Sequence, residues 1–169
     1  GSSNIALGQN ALTANTADHN IALGHFTLSA NTTGGANIAF GQQALSSITT
    51  GSDNNIAIGQ YAMIGANGGG DGNTAIGTNA LQSITTGSLN VAIGHFAGSL
   101  VSTGQRNVFL GQQTGGADTG SDNIALGYLA LAGDSANNNI ALGQGAMGDW
   151  TSNDGIAIGL NAMGDATGG

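Results

Sequence analysis

The chain alternates short aliphatic phrases with long polar stretches, and the phrase is nearly the same each time. NIALG at Asn4 returns as NIALG at Asn20, NIAFG at Asn37 and NIAIG at Asn55. The phrase closes at Gly8, Gly24, Gly41, Gly59, Gly77, Gly94, Gly111, Gly127, Gly143 and Gly159, ten copies at spacings of 16 to 18 residues. Each glycine is followed by two variable residues, then usually Ala-Leu or Ala-Met, and then a polar run such as SSITTGSDN. A fixed period of this length is the signature of a solenoid.

Within one unit Ile5 and Leu7 lie two apart, so in a strand they share one face and Ala6 takes the other. Ala11-Leu12 follows four residues after Leu7. The pattern predicts two short strands joined by a tight corner at Gly8, where glycine supplies a positive φ or allows a close backbone approach. The polar runs carry the Gly, Asn, Asp, Ser and Thr of turns. One unit cannot bury its aliphatic face alone, but stacked units bury it in columns of Ile, Leu and Leu/Met.

Asn4, Asn20, Asn37, Asn55, Asn73, Asn90, Asn107, Asn123 and Asn139 form another column, replaced only in the tenth copy by Gly155. Stacked asparagines can build an amide ladder, so Asn20, Gly24, Asn37, Gly41, Asn55, Gly59, Asn73 and Gly77 read as structural repeat positions. Nine steps of about 4.8 Å give a rod of roughly 43 Å, a single repeat domain over residues 1–169. Each coil has only three or four aliphatic side chains, too few to offset its ordering entropy comfortably. Side-by-side association is the expected remedy, with the column Ala6, Ala22, Ala39, Ala57, Ala75 and Ala92 letting neighbouring chains approach. The rival fold, a triangular left-handed β-helix of 18-residue coils, needs three hexapeptide phrases per turn. This chain has one aliphatic phrase plus Ala-Leu.

Composition narrows the function. The 169 residues include 32 glycines, no proline and no cysteine; the acids are nine Asp and the only basic residue is Arg106, for a net charge of −8. Nucleic acid and anionic membrane surfaces both require clustered Lys and Arg, which are absent. No apolar run approaches the ~20 residues of a spanning helix. No signal peptide is visible, so the chain is expected to be an excised fragment of a longer protein, with any export signal or anchor outside it. The missing cysteines exclude a disulfide framework.

Candidate chemistry is sparse. His25 and His95 fill the same GHF slot four copies apart, and His19 precedes Asn20; surface polarity is favoured over catalysis or metal binding. Asp18, Asp53 and Asp71 stand two before their asparagines and Asp122 one before, positions suited to Asx-turn capping. GGGDGN at 68–73 is similar to a calcium-binding nonapeptide, but its Asp is at the fourth place and the phrase occurs once. Copies six and seven break the pattern together. Gly98 and Gly115 stand where leucine is expected, and between them Phe109 enters the alanine column beside Arg106. Compensated core volume is favoured; the functional alternative is a ligand pocket or modified subunit contact involving Arg106 and Phe109. Phe26, Tyr61 and Phe96 share the second slot after glycine, where they would cover the apolar columns. Trp150, in GDWTSND, is the exposed contact candidate.

The repeat resembles the head repeats of trimeric autotransporter adhesins of the YadA type, whose phrase is close to SVAIGxxA. It is also similar to the NTAIGxxAL repeats of phage tail fibres and related surface fibres, most closely in NTAIGTNALQSITTGSLNVAIG from Asn73 to Gly94. The resemblance covers nearly the whole chain. It implies a left-handed parallel β-roll of about ten 16–18-residue coils, wound as a homotrimer and displayed outside a bacterial cell or on a virion. It implies a non-enzymatic role in attachment to a host cell-surface glycan or protein, with no cofactor, and equally a shaft or spacer without a ligand. The coils here exceed the compact adhesin repeat, so larger outer turns are expected. Two other functions have weaker sequence support. An acyltransferase-like β-helix enzyme needs hexapeptide coils and a cleft histidine. An ice-binding solenoid needs a regular threonine array, and Thr32-Thr33, Thr49-Thr50 and Thr85-Thr86 recur without filling every copy.

Overall fold

Each copy of the phrase forms one three-residue strand. The computed structural model describes residues 1–66, 68, 70–116, 120–133 and 136–164. The strands are β1 (Ile5–Leu7), β2 (Ile21–Leu23), β3 (Ile38–Phe40), β4 (Ile56–Ile58), β5 (Thr74–Ile76), β6 (Val91–Ile93), β7 (Val108–Leu110), β8 (Ile124–Leu126), β9 (Ile140–Leu142) and β10 (Ile156–Ile158). They form one parallel sheet in sequence order, each strand in register with the equivalent residues of the next. The result is an all-β solenoid of about nine turns. There is one strand per coil, where the sequence predicts two.

The segment expected as the second strand is a chain of turns. After Gly8 a β-turn closes through the Ala11 N–H to the Gly8 carbonyl at 3.3 Å, and Leu12 follows at φ 52°. The same turn recurs at Ala44, Ala62, Ala80 and Ala97. This wall also bonds from coil to coil, as in Leu28 N–H to the Ala44 carbonyl at 3.1 Å and Leu45 N–H to the Ala62 carbonyl at 3.1 Å.

The alternation within the strands holds, but its sense is inverted. Ala22, Ala39, Ala57, Ala75, Ala92, Ala125 and Ala141 are fully buried, and the flanking Ile, Val and Leu positions face outward, half-buried or exposed. The alanine column is therefore inside and cannot carry the approach of a neighbouring chain. The reason is coil width. Opposite the strand stands the buried column Leu28, Leu45, Met63, Leu81, Leu131 and Met147, and alongside it Ala44, Ala62, Ala80, Ala97, Ala130 and Ala146. With leucine-sized side chains filling one wall, only alanine fits on the other. Ile48, Ala66, Ile84 and Val101 complete the interior.

Three positions per coil are left-handed in all ten copies: the residue before the column asparagine, the second residue after the glycine, and the Leu/Met position. Examples are Asn54 at φ 59°, Tyr61 at 59° and Met63 at 51°. None is Val, Ile or Thr, the β-branched types that tolerate positive φ worst. The strand-ending glycine is more constrained still. Gly77 has φ 136°, and a Cβ on it would lie 2.4 Å from the carbonyl oxygen of Gly94 in the next coil. Conformation and close approach both demand glycine there.

Leu45→Ile should cost about 1–3 kcal/mol, because a β-branched residue would be held in left-handed geometry. Leu45→Met, which keeps volume and branching compatible, should cost under about 1.5 kcal/mol. Urea unfolding of both variants checks this; equal losses would show that volume alone governs the column.

Candidate functional site

The column asparagines act as clamps between coils. Asn55 Oδ1 accepts the N–H of Asn73 at 2.8 Å, and its Nδ2 donates to the carbonyl of Gly70 at 2.9 Å. One side chain thereby grips the next coil at both ends of its outer turn. Asn4, Asn20, Asn37, Asn73, Asn90, Asn107 and Asn123 make the same pair of bonds. In the middle coils the amides also bond each other, as Asn90 Nδ2 does to Asn73 Oδ1 at 3.1 Å. The expected amide ladder is present there, but most of the grip is side chain to backbone.

A second ladder runs with opposite polarity two residues earlier. Asp53 Oδ1 accepts the Gly35 N–H at 2.7 Å, Asp71 Oδ1 the Asp53 N–H at 2.8 Å, and Ser88 Oγ the Asp71 N–H at 3.1 Å. Asp18 accepts from the Ser2 N–H and hydroxyl, which hold its carboxyl below the usual range. These carboxylates cap the preceding coil, in place of the Asx-turns expected. Gly35 and Ala36 leave a hollow of about 420 Å³ between Asp18 and Asp53. Those two residues are two coils apart, roughly 10 Å, which is too far to share a cation. Among the described residues no three His or Asp side chains gather as metal ligands. The GGGDGN stretch includes Gly69, outside the described residues.

Phe109 is fully buried, in register with Ala92 and Ala125. A Cβ on Gly98 would lie 2.8 Å from its Cδ2, and one on Gly115 would lie 2.4 Å from its Cε1. The ring fills the space of the two absent leucines. It is enclosed, in keeping with the compensated core volume favoured from the sequence rather than with the alternative of a ligand pocket or subunit contact. Gly98 and Gly115 keep the column's left-handed geometry at φ 57° and 62°.

Arg106 stands one coil below Asp122 and pairs with it through two bonds, Nε to Oδ1 at 2.6 Å and Nη2 to Oδ2 at 2.7 Å. Its Nη1 reaches Gln105 Oε1 at 3.3 Å. The bonds to the guanidinium hold the Asp122 carboxyl below its ordinary value and raise that of Arg106. The lone cation is thus a rivet between coils seven and eight.

Trp150 is half-buried and packed on the core, not standing free. Its indole N–H bonds the Ser152 carbonyl at 2.5 Å. His25 and Phe26 meet edge to face at 4.4 Å between ring centroids, and His95 and Phe96 repeat the arrangement. Arg106, Phe109 and Trp150 remain separate features. What the sequence did not single out is the outer sheet face, two rows running over all ten strands that are aliphatic except at Thr74 and Phe40. Its signal was the Ile and Leu of the phrase itself, assigned to the wrong side. Comparison of the chain with protein-family models, curated proteins and solved structures found no match.

Phe109→Ala should lose about 3–5 kcal/mol through its cavity. Adding Gly98→Leu and Gly115→Leu should recover much of that in the unfolding midpoint; no recovery would contradict the compensation. Asp122→Asn should be less stable than the native chain above the ordinary carboxylate pKa of about 3.9. Because Asp122 titrates lower when folded, this difference should fade as pH falls through its lowered value. Salt should shrink it too, since both groups are exposed. A pH-independent difference would assign the effect to something other than the ion pair.

Proposed function

We propose that this chain is a non-enzymatic segment of a homotrimeric surface fibre, a left-handed parallel β-roll displayed outside a cell or virion and working in attachment. The observation that carries this is the outer sheet face. Ile5, Leu7, Leu23, Ile93, Ile124 and Leu126 are 41–67% exposed even within the continuous sheet or at its first strand, and Ile38, Ile56, Val91, Val108 and Ile140 continue the rows half-buried. The rows extend roughly 43 Å at the usual strand spacing. A soluble chain rarely leaves so long an apolar stripe uncovered. Identical parallel copies cover it most simply, because every coil then meets its equivalent and the sparse core of each is joined to two others. The resemblance of the repeat to trimeric fibre repeats supports the number three. Attachment would then draw on weak contacts along the polar turns multiplied by three chains.

A shaft or spacer is the second reading, and one observation favours it. Phe109 is enclosed, Trp150 is bonded inward and Arg106 is engaged by Asp122, so the singled-out contact residues are all employed within the chain.

Light scattering on a sizing column should give about three times the 16.3 kDa chain mass. Ile58→Asp with Ile76→Asp should reduce the mass to one chain while keeping the β circular-dichroism signal, because these side chains point away from the coil interior. A native monomer that persists at high concentration would overturn the fibre assembly. A trimer that binds neither glycan arrays nor cell surfaces would leave the spacer.

A further inference from the structure

The ninth asparagine breaks the clamp pattern. Asn139 Oδ1 accepts the Gly155 N–H at 2.8 Å, but its buried Nδ2 has no partner. In every earlier coil the amide would donate to the carbonyl three residues before the next column position, here Ser152. That carbonyl accepts the Trp150 indole instead. Gly155 is what makes room. A Cβ at 155 would lie 2.9 Å from Trp150 Nε1 and 2.8 Å from Met147 Cε, so the indole occupies space that an asparagine side chain would need.

We propose that Trp150 and Asn139 compete for the Ser152 carbonyl, making the outer turn of the tenth coil a two-state latch. With the indole in, Trp150 is bonded and packed on the core while the Asn139 amide is stranded. With the indole out, Asn139 closes the regular clamp and Trp150 stands on the polar turn beside Asp149. A carbonyl can accept two hydrogen bonds, yet Asn139 Nδ2 makes none while the indole is in place. The opposing terms are of one kind: a buried donor left without a partner against an aromatic ring returned to water. Neither dominates by its nature, which is the condition for two states of comparable free energy. A partner that stacks on an exposed indole would draw the latch open and complete the ladder. This inference is independent of the fibre assembly.

Trp150 is the only tryptophan, so its emission and acrylamide quenching report the latch directly in the intact chain. Gly155→Asn should force the indole out, moving emission to the water-exposed range and raising quenching several-fold. Asn139→Ala removes the competitor and should lower quenching below that of the native chain. This second variant decides the matter if the first does not fold. Either folded variant leaving the indole signal where the native chain has it overturns the proposal.

Discussion

A buried amide that holds two backbone groups of the next coil is the constraint on which this molecule depends. A carbonyl and an N–H at the ends of an outer turn face inward, where no water reaches them, and each must find a partner. Asparagine satisfies both at once, with one oxygen and one nitrogen on a short side chain. Glutamine would be a methylene too long, and Asp would lack the donor. The clamp therefore fixes residue type, the outer-turn geometry and the register of the parallel strands together. It also explains how coils of 16, 17 and 18 residues stack without losing step. The bonds are made at the two ends of a turn of constant length, and extra residues are accommodated before it.

Once the coils are clamped at this spacing, the cross-section is narrow, and that narrowness sorts the side chains. Leucine or methionine fills one wall and leaves room only for alanine on the strand. The aliphatic residues of the phrase are then turned outward. Copies six and seven show the exchange from the other side, where Phe109 enters the strand wall and both facing leucines become Gly98 and Gly115. The outward rows are thus a consequence of the fold's internal arithmetic, and covering them is the role the proposed assembly would take.

The sequence made the solenoid legible because the period is short, repeated ten times and marked by glycine and asparagine that only particular backbone geometry requires. The column positions and the corner glycines were all recoverable. The faces were not, because a three-residue strand with Ile-Ala-Leu has two apolar sides and alternation does not say which is inner. Phe109 held the missing clue. A large residue in one column matched by lost leucines in another means that the two columns share a core. The left-handed positions were legible only as an absence, the lack of Val, Ile and Thr at three columns, which a search for motifs overlooks. Trp150 looked like surface because its turn is polar. Its burial follows from Gly155 and the carbonyl of Ser152, neither of which has a sequence signature.

Asn90 offers the sharpest check on the clamp, since it sits mid-ladder and holds the Asn107 N–H at 2.9 Å and the Gly104 carbonyl at 2.8 Å. Asn90→Ala strands both, and at about 1–3 kcal/mol for each buried group the unfolding free energy should fall by roughly 2–6 kcal/mol. A loss below about 1 kcal/mol in urea unfolding would mean that sheet bonds and side-chain packing stack the coils without the amides, and that the asparagine column does not hold the fold together.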